Sequence, residues 1–236
     1  MTTSAPPEFG SKNLRLPDDL RGPLLQHLTD LRCHYQNLDW AGECGWGERP
    51  AIVVIDLAIW WTDPNCFPMG SNVEPIVDAT ARVLEGGRAA GIPIFFTTND
   101  YDPAEPPTPH TRKCRQKITP DDLQYMEIDP RLGRRDSEKL IRKKYASAFN
   151  STNLHTSLAA LKVDTFIVCG LSTSHCVYAT CRDATNHYHV IVPREAVGER
   201  CEIMHEVNLL DIDIDLGDVL PTDDVVGHLS EMTKAQ

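Results

Sequence analysis

Nothing in these 236 residues approaches the roughly 18 consecutive apolar positions that a membrane span requires. The opening MTTSAPPEFGSKNLRLPDD also has no apolar core of the signal-peptide kind. Basic residues are scarce: 23 Lys and Arg stand against 34 Asp and Glu, a formal net charge of −11. A nucleic-acid partner, which calls for a basic face, is therefore not expected. No C-x-x-C pair occurs, and eight cysteines spread over this length are too dilute for a disulfide scaffold. They are expected as free thiols in a reducing, cytoplasmic setting. Internal repeats and low-complexity segments are lacking too. What is present is ordinary for a globular chain, 41% hydrophobic and 24% charged. The length suffices for one large domain or two small ones.

Residues 1–48 read as an N-terminal arm, proline-rich at first and Gly/Trp-rich at its end, with one short helix expected over 23–35. From residue 49 to 236 apolar runs alternate with helical patterns, and this is read as a single domain. AIVVID (51–56) is a continuous apolar run, as expected of a strand buried on both faces. A helical pattern over 72–91 leads to the strand IPIFFTT (92–98) and then to the proline-rich loop DYDPAEPPTPHTRK, a candidate lid. EKLIRKK (138–144) reads as a weaker strand and 152–163 as a helix capped by Thr152 or Asn153. DTFIVCG (164–170) is the clearest strand, followed by a helix over 172–188, the strand HVIVP, a helix over 201–212, the strand DVLP and a last helix. Such alternation predicts an α/β fold of three αβα layers, Rossmann-like, around a mostly parallel sheet. Ligands of such sheets bind beyond the carboxyl ends of the strands. Asp56, Lys143 and Cys176 all fall at that edge.

Three cysteines crowd the stretch FIVCGLSTSHCVYATCRDA (166–184). Cys169 lies inside an apolar strand and Cys181 a turn into the following helix, so both are read as core. Cys176 falls in the first helical turn after a strand, where unpaired N–H groups favour negative charge. A lowered thiol pKa is expected there, and the same N–H groups can hold an oxyanion. Zinc is the competing reading, but the spacings C-x6-C and C-x4-C do not suit it. His187 and His189 straddle a helix end and a strand start. No metal and no cofactor are expected.

The motifs GWGERPAIVVID, KKYASAF, GLSTSHCV and REAVGER, with HEVNLLDIDIDLGDVL, occur in an order that resembles the isochorismatase-like cysteine hydrolases. The likeness is to their N-carbamoylsarcosine amidase and maleamate amidohydrolase branch and covers about residues 42–230. It implies Asp56 as general base, Lys143 as its lysine partner and Cys176 as nucleophile. Lys143 rather than Lys144 is selected because the family's lysine stands four residues before the Ser of SAF. The resemblance also implies a cis peptide between Leu171 and Ser172, which aims the Ser172 N–H, beside that of Cys176, at the oxyanion. A D-x-H cluster of the metal-dependent nicotinamidases is missing from TTNDYDP, and His175 and Asn150-Ser151 depart from the branch pattern.

The reaction so implied is hydrolysis of a small amide or N-carbamoyl (ureido) compound, as in an N-carbamoylsarcosine amidase. Ammonia is released through a Cys-acyl intermediate. Maleamate and biuret are alternative substrates. Arg200 matches the branch's carboxylate-binding arginine and is otherwise a solvated loop residue. Thr173 either contacts substrate or caps the helix, Trp61 is a candidate pocket wall, and Asn99 adjoins the candidate lid. A homotetramer is implied, with the arm as a contact. From another class, the chain could be a non-catalytic redox-sensing member with an oxidisable Cys176, or a ligand-binding one.

Overall fold

The computed structural model describes residues 14–65, 70–102, 104–114 and 119–234. Seven strands form one sheet: β1 (Pro50–Ile55), β2 (Ile94–Asn99), β3 (Lys139–Lys143), β4 (Thr165–Leu171), β5 (His189–Pro193), β6 (Val197–Gly198) and β7 (Asp218–Leu220). Their spatial order is β3-β2-β1-β4-β5-β7, with β6 paired to β4, and every pairing is parallel. Parts of the arm and of the candidate lid, at 1–13 and 103, lie outside the described residues.

Alternation along β1 explains the three layers. Successive side chains of a strand point to opposite faces. Ala51, Val53 and Ile55 pack toward α5 (Leu154–Ala160), α6 (Tyr178–Ala184) and α7 (Glu202–Asp215) through Leu158, Cys181 and Leu209. Ile52 and Val54 pack on the other face toward α3 (Glu74–Ala89) and α8 (Thr222–Lys234) through Val77, Leu84 and Leu229. All six β1 residues are buried, which is why the segment has no polar phase. Each fully buried aliphatic side chain there contributes about 1.5–3 kcal/mol.

Several elements differ from the sequence reading. The arm helix α1 (Asp18–Gln36) begins five residues before Pro23, which lies inside it rather than at its first turn. Tertiary contacts hold the earlier turn: Arg21 pairs with Glu202 of α7 at 2.7 Å, and Arg32 pairs with Asp213. The arm therefore packs on its own domain. Two short helices have no counterpart in the sequence reading: α2 (Ile59–Thr62), for which no element is expected, and α4 (Pro109–Cys114), which begins within the proline-rich loop. The helix expected over 172–188 is a π-turn, Thr173–Val177, followed by the shorter α6. At 152–163 only Leu154–Ala160 is helical, and Asn153 occupies the cap position without a side-chain hydrogen bond.

The sheet's switch point lies between β1 and β4, since the chain leaves β1 toward β2 and leaves β4 toward β5. Gly170, at φ +115°, faces Ile55 across that junction. A Cβ at Gly170 would stand 2.0 Å from the Ile55 carbonyl oxygen. Only glycine lets the two strands approach this closely at the point where their ends deliver Asp56 and the 172–176 turn.

Candidate active site

Asp56 is the first residue past β1 and sits at φ +51°, a left-handed conformation that aspartate tolerates better than most side chains. This bend turns its carboxyl group over the end of the sheet. Thr97 on β2 fixes it in two ways. The Thr97 hydroxyl donates to Oδ1 at 2.7 Å, and Thr97 Oγ1 accepts from the Asp56 N–H at 3.2 Å. Lys143, the last residue of β3, reaches across β2 and places Nζ 2.7 Å from Oδ2. The Lys143 ammonium also donates to the Tyr145 carbonyl at 3.1 Å and approaches Cys176 Sγ at 3.3 Å. Its three N–H bonds thus have three acceptors, which makes a fully buried ammonium tolerable.

Burial alone would lower the Lys143 pKa, but the Asp56 carboxylate and the Cys176 sulfur hold it above the ordinary lysine value. Lys144 faces the other way, exposed, and bonds Glu105 of the proline-rich loop at 2.6 Å. Adjacent residues leaving a strand point to opposite sides, which separates the two lysines.

The thiol corrects an expectation. Burial, reinforced by the Asp56 charge and a hydrogen bond to it, pushes the Cys176 thiol up to about 12. The lowering expected from a helix start and from Lys143 is outweighed. The direction of this shift favours the thiol over a preformed thiolate beside the Asp56 carboxylate and the Lys143 ammonium. Alkylation of the free protein by iodoacetamide is expected to accelerate continuously from pH 6 to pH 9. Mass-spectrometric time courses on Cys176 would check this, and a rate already flat below pH 7 would contradict it.

Ser172 opens the turn, and the Leu171–Ser172 peptide is cis. In an α-helix the Ser172 carbonyl would accept from the N–H four residues on, that of Cys176. Here it accepts from Val177, at 3.1 Å, and from His175, at 2.9 Å. The π-winding thus takes the Cys176 amide out of the bond it would otherwise make, as π-turns at functional sites commonly do.

The other expected site residues are placed unevenly. Trp61 and Asn99 are brought together, the indole N–H donating to Asn99 Oδ1 at 3.0 Å, and Asn99 pairs in register with Lys143. Trp60, its neighbour, is core. Thr173 is fully buried with its hydroxyl 2.9 Å from His205 Nδ1 of α7, so its side chain does not cap the turn. Arg200 follows β6; its N–H donates to Glu199 Oε1 at 2.8 Å and its carbonyl accepts from Leu14 of the arm. Its loop lies between the arm and the nucleophile turn. Ser151, one of the residues that depart from the branch pattern, adopts a left-handed conformation at φ +57°. Cys169 and Cys181 are buried, and burial raises both thiols.

Thr97, Glu199 and His205 were not singled out from the sequence. Thr97 carried a faint signal, as a polar residue inside an otherwise apolar strand. Glu199 and His205 carried none, because their partners are 25 and 32 residues away. Among the described residues no group of three or more His, Cys, Asp or Glu side chains is arranged to hold a metal ion.

With this geometry established, comparison with known proteins is informative. The model of the isochorismatase domain matches residues 50–224. The N-carbamoylsarcosine amidase of an Arthrobacter species is 36% identical over 205 residues, covering 84% of this chain and 78% of its own. The maleamate amidohydrolase of Pseudomonas putida is 33% identical over 214 residues, covering 85% and 96%. A cysteine hydrolase from Pseudomonas syringae shares the fold with a TM-score of 0.73 at 22% identity, over 81% of this chain and 98% of its own.

Proposed function

The chain belongs to the isochorismatase family, and from that membership and the Asp56–Lys143–Cys176 cluster we propose a cysteine amidohydrolase that releases ammonia from a small amide or N-carbamoyl compound. One observation carries this reading. The half-buried Cys176 thiol and the Asp56 carboxylate share one ammonium, with Lys143 Nζ 2.7 Å from Asp56 Oδ2 and 3.3 Å from Cys176 Sγ.

The order of events proposed here follows the contacts at the site and the upward shift of the thiol. Cys176 holds its proton until the substrate carbon is in place. Asp56 then accepts that proton as Sγ attacks the carbonyl carbon, and Lys143 stabilises the negative charge on sulfur while it exists. The carbonyl electron pair moves to oxygen, where the N–H groups of Ser172 and Cys176 are the proposed donors. Collapse of this intermediate breaks the C–N bond, and Asp56 returns the proton to the departing ammonia. Water, deprotonated by Asp56, then cleaves the thioester and restores the thiol. Every proton transfer is made by residues already in contact, so no cofactor is assigned.

Substrate selection is assigned to the rim. Arg200 suits a carboxylate because its planar fork takes both oxygens, which favours N-carbamoylsarcosine and maleamate over biuret. Trp61, held by Asn99, is the proposed wall, and the loop tethered by Lys144 to Glu105 the proposed lid. Thr173 is assigned a supporting place through His205. Hydrolysis is preferred to a redox-sensing role because a carboxylate and an ammonium both stand at the thiol. No helix among the described residues is long and apolar enough to cross a membrane. The cytoplasm is the proposed location, since Cys176 must stay reduced. A homotetramer is proposed as well; exposed Ile203, Met204 and Val207 on α7, beside the arm, would suit a contact between copies.

The test is ammonia release from N-carbamoylsarcosine, maleamate and biuret. Turnover of at least one carboxylate-bearing compound, exceeding that of biuret by about 10-fold or more, is expected. No release from any of the three, or a preference for biuret, would overturn the substrate assignment.

A further inference from the structure

Resting on the amidohydrolase reading of Cys176, we propose that Glu199 is a positioning residue that fixes the nucleophile turn against the Arg200 loop. It would thereby set the oxyanion geometry. The argument begins with β6, which consists of only two residues and pairs Val197 with Gly170 and Gly198 with Leu171. Beyond that short ladder both chains leave the sheet, one into Ser172–Cys176 and the other into Glu199–Arg200. Backbone pairing stops where the chemistry starts. Glu199 continues the connection with its side chain. Its Oε2 accepts from the Ser174 hydroxyl at 2.6 Å and from the Ser174 N–H at 3.4 Å. Its Oε1 accepts from the Arg200 N–H at 2.8 Å.

This arrangement demands a carboxylate. Both oxygens face donors, so an amide in place of the carboxyl group must turn an NH2 toward one of them. One tether is then lost, and a donor is set against a donor. The tethered Ser174 is two residues from Cys176 and two from Ser172. A movement of the turn by a fraction of an ångström displaces the amides proposed to meet the oxyanion while leaving the thiol in contact with Asp56. His205 holds the same turn from α7 through Thr173, so the turn remains folded when Glu199 changes. Glu199 therefore governs alignment rather than stability.

Two reactions of the same sulfur separate alignment from reactivity. Iodoacetamide is attacked at a saturated carbon and develops no oxyanion. Succinic semialdehyde is attacked at a carbonyl: the S–C bond forms, the C=O electron pair moves to oxygen, and the thiol proton passes to Asp56. Its adduct affinity, read from protection against alkylation, reports the turn without requiring amide turnover. Glu199→Gln and Ser174→Ala are each expected to weaken the adduct about 10-fold or more. The iodoacetamide rate should stay within about 2-fold, because Asp56 and Lys143 are untouched. Ser174→Thr, which keeps a hydroxyl, should retain affinity. The Glu199→Gln/Ser174→Ala double variant should bind no more weakly than the weaker single variant, as members of one tether do.

Unchanged adduct affinity in Glu199→Gln would overturn the proposal. So would a parallel fall in the alkylation rate, which signals general disruption of the site, or failure of the wild type to form the adduct. Ammonia release is scored separately. A wild type that hydrolyses no amide but shows the full aldehyde pattern would refute the amidohydrolase reading and keep the positioning role.

Discussion

Cys176→Ala is expected to reduce ammonia release to the background rate, a loss of at least about 10^4-fold or about 5 kcal/mol of transition-state stabilisation. The size of the effect follows from the absence of a substitute. Cys169 and Cys181 are fully buried in the core and cannot reach a substrate, and the Thr97 hydroxyl, bonded to Asp56 Oδ1, is a far weaker nucleophile than a thiol. Asp56→Asn is expected to cost about 10^2–10^4-fold in kcat with a smaller change in KM. An asparagine keeps the left-handed backbone and the Thr97 hydrogen bond yet cannot accept the thiol proton. The two losses should not add, because both remove the same proton-coupled attack. Single-turnover ammonia assays on the two single variants and the double variant decide this. A double variant much slower than Cys176→Ala would show that Asp56 acts independently of the thiol. Activity persisting in Cys176→Ala would end the covalent mechanism.

Lys143→Met should lower folding stability by about 3–5 kcal/mol, measured by urea denaturation at neutral pH. The reason lies in the pairing rather than in lost packing, since methionine has much the same length and fills the same tunnel. The lysine and aspartate side chains are 0% and 4% exposed, and Oδ2 of Asp56 has the ammonium as its charged partner. Removing the cation leaves a desolvated anion. The double variant Asp56→Asn/Lys143→Met removes both charges and is expected to regain most of the loss, ending within about 2 kcal/mol of the wild type. Both variants should be catalytically inactive, so the comparison separates what the ion pair does for folding from what it does for chemistry. A Lys143→Met protein as stable as the wild type would mean that Asp56 is neutral in the resting site and the pair is not ionic.

How far each residue was legible depended on how local its cause was. The strand AIVVID declared itself because both faces of β1 are covered, and Asp56 was visible as the acid that ends it. Lys143 was separable from Lys144 only through the family motif, since both fit the same strand end; the direction each side chain takes is a property of the folded sheet. Cys176 was placed correctly at the turn after β4, but its pKa was misjudged. A helix start and a nearby cation are features of sequence and resemblance, whereas the degree of burial is set by everything packed above the thiol. The 172–188 helix was expected to be uniform because its composition is, whereas the π-turn is seen only in the bonds that the Ser172 carbonyl accepts from His175 and Val177.

The α/β alternation and the family likeness were legible in the chain alone, as were Asp56, Lys143 and Cys176 as candidates at one sheet edge. Hydrophobic runs and short motifs act over a few residues and are written in order. It takes the folded chain to show that Thr97 and Lys143 take one carboxylate oxygen each, that burial raises the Cys176 thiol, and that Glu199 ties the nucleophile turn to the Arg200 loop. Desolvation and hydrogen-bond satisfaction depend on neighbours brought from 25 residues away, as Ser174 and Glu199 are, to 87, as Asp56 and Lys143 are. No local pattern encodes which of those neighbours will meet.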